Sequence, residues 1–468
     1  MTNWLPDLSH GSGPLYARLA DRIEADIGQG VLPSGAKLPP QRDLAYDLGV
    51  TIGTVGRAYG LLRERGLVSG EVGRGTYVLG HGEPDAVPIP TSLGGTRSAV
   101  PGGDDKLRMD STAAPKVGQA SIIGELGHQI VRQYPDAIVN YVRAPAPDWL
   151  DAGSRWLATG AWRPSPDTIV PTLGGHAAIL AVIAAVTAPG DRIAFDQLTY
   201  SSIARSANLI GRRIVSIGAD EDGTDPGDFE RLCAQQHPKL AFLIPGLHNP
   251  TLTVMPESRR RAIVEIARKH NVWLVEDAIY AALLADQPVS VAELAPERTF
   301  LVGGLSKTVA AGVRAGWVAC PPHLAPRVQV AYKMLTGGNP FLMCELAARL
   351  VLSGEADAIR SRVSAELQLR EKLARERLAG HDFASHGHAP FLWLKLPEPW
   401  LSGTFRQAAA NEGVLIDDED EFKSGRTEQV YHRVRIGFSS LPRADAEDGF
   451  DRLRSLLDNP MAGYDSYG

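Results

Sequence analysis

The fold of the larger part of the chain is decided by residues 300–317, which read FLVGGLSKTVAAGVRAGW. The short apolar run Phe300–Val302 has the composition of a buried strand, and two glycines end it. A serine–lysine pair, Ser306 and Lys307, follows, and then Arg314. Ligands bind at the carboxyl ends of strands in α/β sheets, so this stretch predicts a binding site there.

Similar apolar runs lie upstream and alternate with helical patterns, which is typical of an α/β fold with a mostly parallel sheet. The predicted strands are Thr168–Pro171, Arg192–Phe195, Arg213–Ile217, Leu240–Ile244 and Val272–Val275. Since parallel strands end at one edge, we expect the residues that follow them to lie close together. These residues are Gly174, Gly175, His176, Tyr200, His248, Asn249, Asp277 and Tyr280.

The glycine turn and the lysine indicate what such an edge could bind. A glycine turn into a helix presents free backbone N–H groups to a phosphate, and Arg314 could add a second charge. Lys307 can form a Schiff base with an aldehyde. Asp277 can keep a pyridine nitrogen protonated, which makes the ring an electron sink. Together these roles predict pyridoxal 5′-phosphate as the cofactor.

The remaining positions suit the cofactor ring: Tyr200 could stack on it, while Asn249 and Tyr280 could hydrogen-bond its phenolic oxygen. Each feature alone also has an ordinary explanation. Most lysines after a serine lie on the surface, and an aspartate at a strand end is often a turn residue or a helix cap. Their order at successive strand ends favours the cofactor site.

Five segments of the chain are similar to the successive motifs of fold-type I aminotransferases, and the resemblance covers about residues 119–458. It implies that Lys307 carries the Schiff base, that Asp277 binds the pyridine nitrogen, and that Arg435 takes an α-carboxylate. It also implies a phosphate site formed by Gly175, His176, Ser306 and Arg314, and a role for Tyr141 at the phosphate of a neighbouring subunit. The motifs are PTLGGHAAI (171–179), HNPT (248–251), EDAIY (276–280), GGLSKTVAAGVRAGW (303–317) and VRIGFSS (434–440).

The first 80 residues predict three helices and a hairpin. Leu15, Leu19, Ile23 and Ile27 form one apolar stripe of the first helix. A short helix over 41–48 and a third over 52–65, capped by Thr51, are spaced as in a helix-turn-helix unit, and the hairpin would be its wing. A small helical interaction domain without DNA is the alternative. The predicted DNA-binding residues are Lys37, Arg42, Thr51, Thr54, Arg57 and Arg74.

Residues 32–78 resemble the winged helix-turn-helix of GntR-type bacterial regulators, through the elements LPPQRDLA and GRGTYV. A domain of this kind followed by an aminotransferase-like domain resembles the MocR (GabR-like) family of regulators. The resemblance implies a homodimeric transcription factor that binds double-stranded DNA and senses a small amine or amino acid through pyridoxal phosphate. Two alternatives remain open: an active aminotransferase with an appended DNA-binding domain, and a DNA-binding protein with a silent cofactor domain.

The chain has 468 residues and a formal net charge of −6, which does not indicate a polyanionic partner for the whole molecule. We expect a winged-helix domain over 1–80, a flexible linker over 81–118 and an α/β transferase domain over 119–468. Within that domain, we expect a large subdomain over 166–345 and a small one from 119–165 and 346–468.

Other features indicate a cytoplasmic protein without a metal site. The longest apolar run, 177–186, is about half of the ~20 residues that a membrane-spanning helix needs, and no secretory signal is visible. The three cysteines stand far apart, which supports neither disulfides nor zinc. The acidic run Asp417–Glu421 lacks the pattern of a calcium loop and is expected to be a solvated loop.

Overall fold

A computed structural model describes residues 4–6, 8, 14–33, 35–65, 67–71, 75–78, 106–425, 427 and 429–459. The chain divides into two compact units, Met1–Thr96 and Arg97–Gly468. In the part of the chain that the structure describes, no helix is long and apolar enough to cross a membrane.

The described residues of the first unit form three helices and a three-stranded antiparallel sheet of order β1–β3–β2. The predicted inward faces of the first and third helices, including Leu19, Ile23, Val55 and Tyr59, form its core, whereas Leu15 is 45% exposed. The elements are α1 (Leu15–Gly28), β1 (Lys37–Leu38), α2 (Gln41–Asp47), α3 (Ile52–Glu64), β2 (Val68–Glu71) and β3 (Gly75–Val78).

The second unit begins with a short strand and continues with alternating helices and strands. Its helices are α4 (Gln119–Gln133), α5 (Pro135–Val139), α6 (Pro147–Trp156), α7 (Gly175–Val186), α8 (Ser201–Leu209), α9 (Pro226–Gln236), α10 (Glu257–His270), α11 (Val291–Leu294), α12 (Ala325–Thr336), α13 (Phe341–Leu352), α14 (Glu355–Arg377), α15 (Ser402–Asn411) and α16 (Arg443–Leu457). Its strands are β4 (Leu107–Arg108), β5 (Ile169–Thr172), β6 (Arg192–Asp196), β7 (Arg213–Ile217), β8 (Ala219–Asp220), β9 (Gly223–Thr224), β10 (Leu240–Leu243), β11 (Trp273–Asp277), β12 (Thr299–Gly304), β13 (Gly316–Ala319), β14 (Phe383–Ala384), β15 (Phe391–Lys395), β16 (Val414–Leu415), β17 (Asp417–Asp418) and β18 (Arg433–Gly437).

A seven-stranded sheet of order β5–β13–β12–β11–β10–β6–β7 forms the centre of this unit. All six predicted strands are present in it, with ends that differ by at most two residues. The short strand β13 was not predicted, and it runs antiparallel to both of its neighbours. Alternate strand residues face opposite sides: Phe242 packs in the cluster that contains α7, and Leu243 in the cluster that contains α9 and α10. The other six strands of this sheet therefore run in one direction and end at the same edge, as the prediction of a shared site requires.

A smaller sheet of order β14–β15–β18–β17 forms a second core with α15 and α16. The segment that precedes α4 belongs to this part of the molecule, because β4 pairs with β16 and Met109 is fully buried. The structure therefore differs from the expected linker over 81–118 at its C-terminal end. Residues 81–105 lie outside the described part of the chain.

The acidic run Asp417–Glu421 is not the solvated loop that its charge pattern led us to expect. Asp417, Asp418 and Glu419 are each at most 5% exposed. The carboxylates of Asp417 and Asp418 pair with Arg435 and Arg406 from other segments, and that of Glu419 pairs with the nearby Lys423. The prediction was wrong because the run was interpreted without Arg435 and Arg406, which are distant in sequence, and buried charges require such pairing.

Candidate cofactor site

A cavity of about 360 Å³ lies at the carboxyl edge of the seven-stranded sheet, within the range of roughly 300–1,000 Å³ usual for small-molecule sites. The structure brings together all but one of the residues that the sequence predicted for the cofactor and the carboxylate. The exception is Tyr141, which is 97% exposed. The predicted residues that line the cavity are Gly175, His176, Tyr200, Asn249, Asp277, Tyr280, Ser306, Lys307, Arg314 and Arg435.

One end of the cavity is formed by the glycine turn between β5 and α7. Gly174 has a φ of 81°, which favours glycine, and a Cβ on Gly175 would lie 2.2 Å from Ile279 Cδ1. Gly175 and His176, the first residues of α7, line the same cavity as Arg314, and the first N–H groups of a helix have no partner within the helix. Burial, followed by the charge of Arg314, lowers the pKa of His176. This end is therefore rich in donors and positive charge, as an anion requires.

The carboxylate of Asp277 lies at the end of β11 and is almost completely buried, with 6% exposure. Burial raises the pKa of Asp277 to about 6, against the opposing effects of a hydrogen bond from the Ile279 N–H at 3.0 Å and of the charge of Lys307. A protonated ring nitrogen would add a positive charge that favours the ionised form of this carboxylate.

The amine of Lys307 is held by a residue that sequence reasoning missed. Lys307 Nζ donates to Thr112 Oγ1 at 2.8 Å, and the same hydroxyl is 2.8 Å from Tyr280 Oη. Thr112 lies in the segment that was expected to be linker. The alternation of apolar Leu107 and Met109 with polar residues was the available signal, because it is the period of a strand.

Arg435 is enclosed at the boundary between the two sheets. Its Nη1 donates to Asn249 Oδ1 at 2.8 Å, and its Nε and Nη2 donate to Asp417 Oδ2 at 3.2 and 2.5 Å. The sequence predicted the position of Arg435 but not its pairing with Asp417.

The residues present fit pyridoxal 5′-phosphate. The cavity combines a donor-rich turn beside Arg314, a buried carboxylate at Asp277 and a primary amine at Lys307. These are the groups required by a phosphate, a pyridine nitrogen and an aldehyde. Burial also raises the pKa of Tyr200, so this ring lines the cavity as a neutral phenol that suits stacking.

Five of the six predicted DNA-binding residues lie in the described part of the first unit. Lys37 is exposed on β1, Arg42 at the start of α2, and Arg57 on α3, where its Cζ lies 6.0 Å from the Tyr16 ring centroid. The predicted cap of α3 is present, since the Thr54 N–H donates to Thr51 Oγ1 at 3.2 Å. The side chain of Thr54 is half-buried. Arg74 lies outside the described residues.

Two family models match the chain: aminotransferase class I and II over residues 155–453, and bacterial regulatory proteins of the gntR family over residues 15–78. The chain is 30% identical to the uncharacterized HTH-type transcriptional regulator YdeF of Bacillus subtilis (strain 168), over 98% of this chain and 97% of that protein. It is 25% identical to the probable rhizopine catabolism regulatory protein MocR of Rhizobium meliloti, over 71% of each.

Among solved structures, the chain resembles LysN, an α-aminoadipate aminotransferase from Thermus thermophilus complexed with N-(5′-phosphopyridoxyl)-L-leucine. The TM-score is 0.68 at 20% identity, and the match covers 77% of this chain and 94% of that one. This likeness shows that the second unit has the aminotransferase fold.

Proposed function

This chain belongs to the MocR-type family of HTH-type transcriptional regulators, and from that premise we propose that it regulates transcription in response to an amino compound bound at Lys307. The observation that carries the proposal is the position of Lys307 Nζ. It shares one cavity with the buried carboxylate of Asp277 and with Arg314. DNA binding by the first unit and pyridoxal 5′-phosphate as cofactor are the two established parts of this function.

The residues that line the cavity have different roles in binding. When bound, pyridoxal 5′-phosphate supplies an aldehyde carbon that bonds covalently to primary amines. Lys307 would provide that amine in the resting protein, and the amine of a ligand would compete with it for the same carbon. Thr112 and Tyr280 lie within reach of the Lys307 amine and can hold it once it is displaced. A ligand can shift DNA affinity only through its different affinity for two states of the protein.

Lys307→Ala tests the ligand response. We expect this variant to retain basal DNA binding and to lose both the covalently held cofactor absorbance and the change in DNA affinity on adding amines. Lys269→Ala is the matched control, because Lys269 is 65% exposed and pairs with Glu230 on the surface. A Lys307→Ala protein that still responded normally to amines would contradict the proposal.

Arg57→Ala tests the DNA face. Arg57 is exposed on α3, the helix that enters the major groove in this type of domain. Loss of a base contact should weaken specific DNA binding by about 1–3 kcal/mol, as measured by gel shift. Arg63→Ala, near the other end of the same helix, should change binding much less. Equal effects of the two variants would show that Arg57 contributes only general charge.

A homodimer completes the proposal. Large apolar side chains are exposed in two short stretches of the second unit, at Ile138, Val139 and Tyr141 and at Met334 and Leu335 on α12. Single exposed apolar residues are ordinary, but groups of them favour an interface between subunits. Sedimentation of the full chain should give twice its mass of 50.2 kDa, and Met334→Asp should weaken the assembly.

An active aminotransferase with an appended DNA-binding domain is the second candidate. The presence of Lys307, Asp277 and Tyr280 in one cavity favours it, as does the 24% identity to aromatic-amino-acid aminotransferase 1 of Thermococcus litoralis over 74% of this chain. Sustained transfer of amino groups to a keto acid over many turnovers would support this candidate. A single stoichiometric response would support sensing alone.

A further inference from the structure

Arg435 and Asp417 form a buried ion pair at the ligand end of the cavity. The two residues lie directly opposite each other on the antiparallel strands β18 and β17, and their side chains are 11% and 6% exposed. Aromatic rings cover the guanidinium: the Phe422 and Phe391 centroids lie 4.7 and 5.2 Å from Arg435 Cζ. The charge of Arg435 is therefore already compensated from within the chain.

The hydrogen-bonding capacity of Arg435 is also largely used. A guanidinium has five N–H donors. Two of them bind Asp417 Oδ2, one binds Asn249 Oδ1, and one binds the Asp110 carbonyl oxygen at 3.4 Å. Among the described residues these contacts leave one N–H for a ligand, whereas bidentate binding of a carboxylate needs two.

The neighbouring charges cancel as well. Asp110 lines the cavity beside Arg435, and its carboxylate accepts from Arg108 Nη2 at 2.9 Å. At this end of the cavity, the positive charges of Arg108 and Arg435 are therefore balanced by the negative charges of Asp110 and Asp417. A ligand carboxylate would add a further negative charge where burial weakens screening by water.

We propose that Asp417 determines the ligand class of the cavity, so that a primary amine without an α-carboxylate binds more tightly than the α-amino acid with the same side chain. This inference rests on the proposed function, because it concerns the compound that displaces Lys307. If an α-amino acid binds through Arg435, its carboxylate must either displace Asp417 from Arg435 or share Arg435 with Asp417. An amine avoids both costs.

The test uses the full-length protein loaded with pyridoxal 5′-phosphate and compares matched ligands. The pairs are 3-methylbutylamine with L-leucine, and 1,5-diaminopentane with L-lysine, which differ only in the α-carboxylate. A fifth ligand, 4-methylpentanoate, has the carboxylate of leucine and no amine. Binding is followed by the visible absorbance and by the shift of the thermal unfolding midpoint.

In the wild-type protein we expect each amine to bind about tenfold or more tightly than its amino acid, and 4-methylpentanoate not to bind. Asp417→Asn should reduce this ratio by about tenfold and allow 4-methylpentanoate to bind, whereas Asp417→Glu should keep the wild-type preference. Each ratio compares the affinities of two ligands for the same variant. A general loss of stability affects both affinities and therefore leaves the ratio unchanged.

Asp418→Asn is the matched control. It removes the carboxylate of the next residue on the same strand, which pairs with Arg406 at 2.9 Å and is not among the cavity residues. The ratio should stay at its wild-type value. Tighter binding of L-leucine than of 3-methylbutylamine to the wild type, or an unchanged ratio in Asp417→Asn, would overturn the inference.

The experiment distinguishes a failure of the proposed function from a failure of the inference about Asp417. If no amine alters the absorbance or the DNA affinity, the proposed function fails, yet the 4-methylpentanoate arm still decides the role of Asp417. If amines and amino acids both act but Asp417→Asn leaves their ratio unchanged, the proposed function stands and the specificity role is refuted.

Discussion

Replacing Asp277 by asparagine should change stability in opposite directions in the cofactor-free and cofactor-loaded protein. In the cofactor-free protein, burial raises the pKa of Asp277 from 3.8 to about 6. A carboxyl group with a raised folded-state pKa favours folding when protonated and opposes it when ionised. Each pKa unit corresponds to about 1.4 kcal/mol, so the ionised form costs about 3 kcal/mol of unfolding free energy at pH 8.

Asp277→Asn removes this cost and keeps an oxygen that can accept the Ile279 N–H. The gain should be about 3 kcal/mol at pH 8 and about half of that at pH 5, because protonation lowers the cost as the pH falls from about 6 towards 3.8. In the loaded protein, the charge on the ring nitrogen compensates the carboxylate, and the same variant should lower both cofactor affinity and stability. Urea unfolding of both forms at the two pH values measures these differences.

Glu366→Gln is the control with the opposite sign. A hydrogen bond from Arg443 at 2.8 Å, together with one from Arg370 at 2.7 Å, lowers the pKa of Glu366 against the effect of burial. A carboxylate with a lowered folded-state pKa stabilises the folded protein at pH 8, so removing its charge should lower the unfolding free energy. If Asp277→Asn also destabilised the cofactor-free protein at pH 8, the argument from burial would be refuted.

Two further substitutions test local structure. Thr51→Ala should remove the cap of α3 and weaken it by about 1 kcal/mol, seen as faster hydrogen exchange at the first amides of the helix, while Thr51→Ser should restore protection. Gly316→Ala would place a Cβ 2.6 Å from the Gly303 carbonyl oxygen and 3.1 Å from Gly174 Cα, so we expect a loss of about 1–3 kcal/mol and weaker cofactor retention. Gly312→Ala has open space and should lower the unfolding midpoint little; equal losses at the two glycines would contradict the packing argument.

The sequence predicted the parallel strands and the residues that follow them because both depend on local patterns. Short apolar runs mark strands, and parallel strands with one common direction place Asp277 and Lys307 at one edge. The cap at Thr51 is equally local, since it requires only a hydroxyl at the first turn of α3. These features need no knowledge of distant partners.

The contacts of Thr112 and Asp417 could not be predicted in the same way. Thr112 follows a stretch rich in glycine and proline, and its partners Lys307 and Tyr280 lie far along the chain. Asp417 stands in a run of like charges, a pattern that predicts a solvated loop. Its partner Arg435 lies on another strand, and the run itself gives no sign of this pairing. The strand β13 was missed because the prediction relied on strands that alternate with helices, and only a short helical turn, Ala311–Val313, separates β13 from β12.

The hydrogen bond from Lys307 to the hydroxyl of Thr112 connects the cofactor site to the segment that precedes α4. Thr112 lies shortly after β4, the first described strand that follows the DNA-binding unit in the chain. In the proposed exchange, the lysine amine that a ligand displaces from the cofactor returns to this hydroxyl, which also contacts Tyr280. Ligand binding at the cofactor would therefore be registered four residues beyond β4, in the first described segment after the winged-helix unit.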